Sequence, residues 1–202
     1  MTALLSRRTS MRVALAAAAT FMLGACSPDK PQFRSIDVTG ADYARDFKLA
    51  DHNGQQRTLA DFRGKVVVIF FGFAQCPDVC PTAMAELAEV KRLLGADAGK
   101  LQGLFVTLDP ERDTPEVLKA YMGNFDPAFL ALRPEVQELP DLAKHFKIFY
   151  KKNEGKTAGS YTLDHTAASY VFDPQGRVRL YTRHGMGPAA LSEDLKILLK
   201  GA

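Results

Sequence analysis

Lys65-Val66-Val67-Val68-Ile69-Phe70-Phe71-Gly72-Phe73, followed at once by Ala74-Gln75-Cys76-Pro77-Asp78-Val79-Cys80-Pro81, is the stretch on which the fold turns. Its first half is an unbroken β-branched and aromatic run, which predicts a central strand buried on both faces. Beyond the cysteines, Met84, Leu87, Val90, Leu93 and Leu94 recur at helical spacing over 81–94, with Gly95 in a stop position. The two cysteines therefore fall at a strand-to-helix junction. Because a residue before proline is pushed away from helical backbone angles, Pro81 is expected at the first helical position with Cys80 at the cap.

Outward from this junction, Leu101 to Leu108 reads as a second buried strand, and Thr114-Pro115-Glu116 caps a helix running to about Phe125. A short strand near 129–132, a helix over 139–146, and Ile148-Phe149-Tyr150 come next. Residues 151–160 read as a polar loop containing glycine. Ala168 to Phe172 pairs with Arg177 to Tyr181 through the turn Asp173-Pro174-Gln175-Gly176, and Pro188 to Leu199 closes the chain as a helix. On the N-terminal side, 46–61 predicts a small hairpin around Asp51-His52-Asn53-Gly54-Gln55, with His52 a solvated turn residue. The fold class is α/β: a mixed central sheet flanked by helices, with an N-terminal hairpin. A thioredoxin-like fold satisfies this order.

Both sulfurs are expected at a helix N-terminus, where unpaired N–H groups and the dipole favour thiolate. Two sulfurs bound to one metal sit roughly 3.8 Å apart if each bond is about 2.3 Å. A disulfide needs about 2.05 Å, so oxidation and ligation compete for one site. His165, 85 residues beyond Cys80, offers a remote imidazole behind Asp164. Two thiolates and one imidazole are one ligand short of a closed structural zinc site, while soft sulfurs suit Cu(I) and, with nitrogen and oxygen, Cu(II). Spacing alone leaves zinc or no metal open.

The first 25 residues carry Arg7, Arg8 and Arg12, no acidic residue, and an alanine-rich apolar run from Val13 to Leu23. This reads as an export signal, shorter than the about 17–25 residues of a membrane span, although an uncleaved anchor helix stays open. Without it the formal net charge falls from +3 to 0, since three arginines and no acids leave. No basic stripe remains to support nucleic-acid binding. Residues 26–42 read as a tether, and 43–202 as a single domain.

Three separate segments then carry a resemblance. Phe71 to Pro81, Thr107-Leu108-Asp109-Pro110-Glu111-Arg112-Asp113-Thr114-Pro115, and Tyr161-Thr162-Leu163-Asp164-His165 together resemble the Sco (SenC) family of copper-binding thioredoxin-like proteins. The match runs from about Asp46 to Tyr181. It implies Cys76, Cys80 and His165 as copper ligands, and delivery of copper to the dinuclear copper site of cytochrome c oxidase subunit II, after loading by a copper donor chaperone. Leu23-Gly24-Ala25-Cys26 resembles the lipobox of bacterial lipoproteins. Cys26 is then the lipidated residue that anchors an exported protein on the periplasmic side, to the inner membrane in preference to the outer, unless it is a free thiol.

Asp78 and Asp109 are candidates to orient ligands or recruit the acceptor, or are turn residues only, and Asp164 either places His165 or is a loop carboxylate. His184-Gly185-Met186 offers two possible copper ligands, His184 and Met186, or is a solvent-facing hairpin end. The alternative function is an enzyme, a thiol-disulfide oxidoreductase working through a redox-active Cys76–Cys80 disulfide. Redox members of the thioredoxin class resemble one another in Cys-x-x-Cys and in a cis-proline facing the pair. This chain has three residues between its sulfurs, and that proline's place falls near Ala167, with none from Tyr161 to Phe172.

Overall fold

The continuous apolar run forms β4 (Val66–Gly72), and all seven of its residues are buried. It lies between β5 (Leu101–Thr107), to which it is parallel, and β9 (Ala168–Phe172), to which it is antiparallel. Such a strand has no solvent face, so its sequence does not alternate. Phe70 and Phe105 are direct neighbours across the parallel pair, with ring centroids 6.4 Å apart.

In this computed structural model, residues 31–157 and 159–201 are described. β1 (Ile36–Asp37), β2 (Leu49–Asp51), β3 (Gln56–Arg57), β6 (Leu130–Arg133) and β10 (Val178–Arg183) complete an eight-stranded mixed sheet in the order β1-β10-β9-β4-β5-β6-β2-β3. Among the described residues the α-helices are α1 (Val79–Leu93), α2 (Pro115–Met122), α3 (Leu139–His145) and α4 (Pro188–Leu199). α1 and α4 pack together over the Val68 and Phe70 side of β4. On the other side Phe71 meets Phe146, just past α3, at 5.0 Å between centroids. The expected α/β layering, the hairpin β2–β3 and the β9–β10 hairpin are all present.

Four expectations need correction. Helix α1 begins at Val79 with Asp78 as cap, so Cys80 is its second residue and Pro81 its third. Proline is accepted there because the first four N–H groups of a helix have no intrahelical partner. The 151–160 stretch is not all loop: β7 (Tyr150–Glu154) and β8 (Tyr161–His165) pair antiparallel as a separate ribbon, with Tyr150 opposite His165 and Glu154 opposite Tyr161. Its strand residues Lys151, Lys152 and Glu154 are exposed, so no apolar alternation marks them. His52 is half-buried, and its Nδ1 accepts the Ala131 N–H at 3.0 Å.

The last correction concerns the tether, because folded structure reaches back before Tyr43. β1 pairs with β10, and the buried Asp194 carboxylate in α4 accepts the Arg34 and Ser35 N–H groups at 2.8 Å each. The expected signal over 1–25 and the lipidation residue Cys26 lie outside the described residues. No helix among the described residues is long and apolar enough to cross a membrane.

Candidate metal centre

Cys76 and Cys80 stand just past the carboxyl end of β4, the end at which open α/β sheets place their ligands. A tight turn brings the Cys76 N–H to the Phe73 carbonyl at 3.1 Å. The Cys80 N–H, free of helical obligations in the first turn of α1, donates to Cys76 Sγ at 3.4 Å. His165 closes the group from the end of β8. The ligand atoms of Cys76, Cys80 and His165 all lie within 4.8 Å of one another, and Cys80 Sγ is 3.4 Å from His165 Nε2.

The imidazole is fixed edge-on by Phe70 and Phe73, with ring centroids 6.0 and 5.9 Å away. Its Nδ1 lies 3.1 Å from the Thr166 carbonyl. A carbonyl only accepts, so Nδ1 carries the proton, and Nε2 presents a lone pair toward Cys80. Burial lowers the His165 pKa, which favours this neutral form. A ring held in this tautomer is ready to ligate a metal.

Cys80 departs from the thiolate expectation. Its thiol is pushed well up, first by burial and then by contact with Cys76. A helix terminus contributes about 0.3–1 kcal/mol, less than one pKa unit, whereas full burial shifts a group by up to about 3–5 units. The protonated Cys80 Sγ lies 3.4 Å from Nε2, and a metal ion bound there would take the thiol proton's place.

Gly72 makes room for the sulfur. A Cβ there would lie 2.8 Å from Cys80 Sγ and 3.0 Å from both Phe105 Cε2 and Phe70 Cε1. Asp113 was not singled out by sequence reasoning; it is fully buried, and its Oδ2 accepts the Ala74 N–H at 3.0 Å and the Thr107 hydroxyl at 2.5 Å. Burial pushes its carboxyl up despite these bonds. The sequence signal for it was thin, because an aspartate before Thr114-Pro115 also reads as ordinary helix-capping composition.

Of the acidic candidates, Asp78 and Asp164 are exposed. Asp109 is buried, pairs with Arg112 and accepts the Tyr161 hydroxyl at 2.7 Å. His184 does not join the ligand group; its N–H donates to the Ala167 carbonyl at 3.0 Å, and Met186 Sδ accepts the Ser35 hydroxyl at 3.5 Å.

A SCO1/SenC family model matches residues 37–200. The chain belongs to the SCO1/SenC family. Over 178 residues it is 32% identical to a SCO2-like protein of Rickettsia felis, covering 87% of each chain. It is similar to Bradyrhizobium japonicum ScoI with copper bound, at 39% identity and a TM-score of 0.69 over 76% of this chain and 97% of that one. Yeast Sco1 with copper bound is similar at 28% identity and a TM-score of 0.69, over 85% of this chain and 91% of that one. The thioredoxin-like fold expected from the order of elements is the fold of these SCO1/SenC relatives. Copper fits the donor set found here, two soft sulfurs and one neutral imidazole, with no fourth His, Cys, Asp or Glu joining the group among the described residues.

Proposed function

We propose that this protein is a copper metallochaperone, holding copper as cargo between Cys76, Cys80 and His165. It receives the ion from a donor chaperone and hands it to the dinuclear copper site of cytochrome c oxidase subunit II during oxidase assembly. Lipidated Cys26 tethers the exported protein to the periplasmic face of the inner membrane. The observation that carries the reading is the convergence of two sulfurs and an imidazole nitrogen within 4.8 Å, from segments 85 residues apart in sequence. Three protein ligands leave a position at which an acceptor's ligand can enter before the protein's own ligands leave.

The direct test is titration with Cu(II) followed by absorbance. Thiolate-to-copper charge-transfer bands should appear at one equivalent and vanish in Cys76→Ser and Cys80→Ser, and His165→Ala should weaken binding by orders of magnitude. Full affinity in His165→Ala would remove the reading's main support.

A second reading is favoured by the inequality of the sulfurs, Cys76 half-buried and Cys80 fully buried. Cys76 as thiolate would attack an acceptor disulfide, and Cys80 would then displace the acceptor's sulfur, leaving a Cys76–Cys80 disulfide and a reduced acceptor. Turnover of a disulfide substrate by the metal-free protein, unaffected by His165→Ala, would promote this reading.

A further inference from the structure

The segment from Thr107 to Asp113 contributes no ligand, yet it is bonded to both arms of the metal centre. On the cysteine arm, Asp113 holds the Ala74 N–H at 3.0 Å, two residues before Cys76. On the histidine arm, Arg112 donates to the Tyr161 carbonyl at 2.9 Å and lays its guanidinium 3.5 Å from the Tyr161 ring centroid. Asp109 takes the Tyr161 hydroxyl on one carboxylate oxygen and Arg112 on the other. Lys152 of β7 stands 3.7 Å from the same ring centroid and pairs with Glu111 at 3.3 Å. The segment braces itself, since the Asp109 N–H bonds Thr107 Oγ1 at 2.9 Å and the Asp113 N–H bonds the Asp109 carbonyl at 2.9 Å.

Tyr161 is the first residue of β8 and His165 the last. A two-stranded ribbon is marginal by itself, so the direction in which His165 points depends on what holds the ribbon's two ends. The His165 end is tied by reciprocal bonds between Phe149 and Thr166, at 2.9 and 3.0 Å. The Tyr161 end is tied by Arg112 and Asp109.

We propose that Arg112, Asp109 and Asp113 are positioning residues of the metal centre. They form a hub that braces each arm of the centre from one segment, Asp113 holding the cysteine turn and Arg112 with Asp109 holding the ribbon that carries His165. The proposal rests on the copper-binding reading above and adds residues that touch no metal. Arg112 suits the task because its planar fork serves a carboxylate, a carbonyl and a ring face together, which the point charge of lysine cannot do.

The test is a set of double-mutant cycles read by competition with a copper chelator, each variant first checked for native circular dichroism. Arg112→Lys, which keeps the charge beside Asp109, should lower copper affinity about tenfold in the parent. It should cause no further loss in a His165→Ala background, because it acts through that imidazole. In the metal-free protein it should also speed hydrogen exchange at the β8 amides. Asp113→Ala should lose a similar factor in both backgrounds, because it acts through the cysteines, and Asp113→Asn, which keeps an oxygen for the Ala74 N–H, should recover most of it. Tyr161→Phe removes only the hydroxyl bond to Asp109 and should give a smaller loss with the same dependence on His165.

Parent affinity in Arg112→Lys, or an equal loss with and without His165, would overturn the hub, as would Asp113→Asn binding as poorly as Asp113→Ala. If His165→Ala alone bound copper like the parent, the three-ligand reading would fall first and the hub with it.

Discussion

Gly72→Ala places one methyl group between the central strand and the buried sulfur, and the structure sets the size of the effect. The new Cβ would sit 2.8 Å from Cys80 Sγ, whereas ordinary contact begins at 3.4 Å. The sulfur or the strand must yield by about 0.6 Å, three times the roughly 0.2 Å tolerance of a metal-ligand bond. Movement of the sulfur alone would not make room, because Phe105 and Phe70 are each 3.0 Å from the same Cβ. Overpacking of this kind costs about 1–3 kcal/mol. Gly72 has no positive φ, so alanine also stiffens the unfolded chain and returns about 0.4–1 kcal/mol. The net loss lies between about 0 and 2.6 kcal/mol and centres near 1.3 kcal/mol, which is roughly 3–5 °C in the thermal midpoint of a protein this size.

Copper should suffer beyond this, by about tenfold or more, since the displaced atom is itself a proposed ligand. Urea unfolding of the metal-free variant measures the first effect and chelator competition the second. Adding Cys80→Ala removes the atom in the way, so Gly72→Ala should cost less in that background, with a coupling of about 0.5–3 kcal/mol. A Gly72→Ala protein with the parent's unfolding midpoint and copper affinity would show that the sulfur pocket is looser than these distances state.

Two further outcomes follow from burial. Cys76→Ser and Cys80→Ser should both abolish tight copper binding, but only Cys80→Ser, which puts a hydroxyl where a fully buried thiol stood, should also cost about 1–3 kcal/mol in urea unfolding of the metal-free protein. Asp51 is desolvated, which raises its pKa, but bonds from Arg57 and from the Gln55 and Asn53 N–H groups outweigh this and hold it below its ordinary 3.8. A depressed carboxylate stabilises the fold above its unfolded value and loses that contribution as pH falls through the folded one. Asp51→Asn should therefore be less stable than the parent at pH 6, with the gap closing below about pH 4 in an acid unfolding series.

The parts of the fold written in apolar pattern were legible: β4 in its unbroken run, α1 in its helical spacing, β9–β10 around their turn. β7 and β8 were not, because Lys151, Lys152 and Glu154 face water and the ribbon is held by backbone pairing and by Tyr161 rather than by alternation. The start of α1 was misplaced by two residues, because the rule against helical angles before proline yields within the first turn, where no hydrogen bond is lost. Cys76, Cys80 and His165 stood out as residues that ligate metals, and the fold brings them together. What could not be read was their surroundings. The direction of the Cys80 pKa depends on burial that outweighs a visible helix terminus. The hub residues Arg112 and Asp113 act through contacts with Tyr161 and Ala74, 49 and 39 residues away.

The two sulfurs differ enough that chemistry at the site should begin at one of them. Cys80 is fully buried, its thiol is pushed up, and its Sγ lies 3.4 Å from His165 Nε2. Cys76 is half-buried, and its Sγ accepts the Cys80 N–H at 3.4 Å. Any incoming group, whether an acceptor's ligand or an alkylating reagent, must approach from the side on which Cys76 and His165 are partly open. Brief treatment of the metal-free protein with iodoacetamide at pH 7, followed by peptide mass mapping, should label Cys76 well before Cys80, and prior loading with Cu(I) should protect both. In Cys76→Ser, Cys80 should stay slow, because its resistance comes from its own burial rather than from competition with its neighbour. Labelling of Cys80 first, or at an equal rate, would mean that the turn opens to solvent faster than the reagent reacts, and Cys76 could then no longer be assigned as the first sulfur engaged in copper handover.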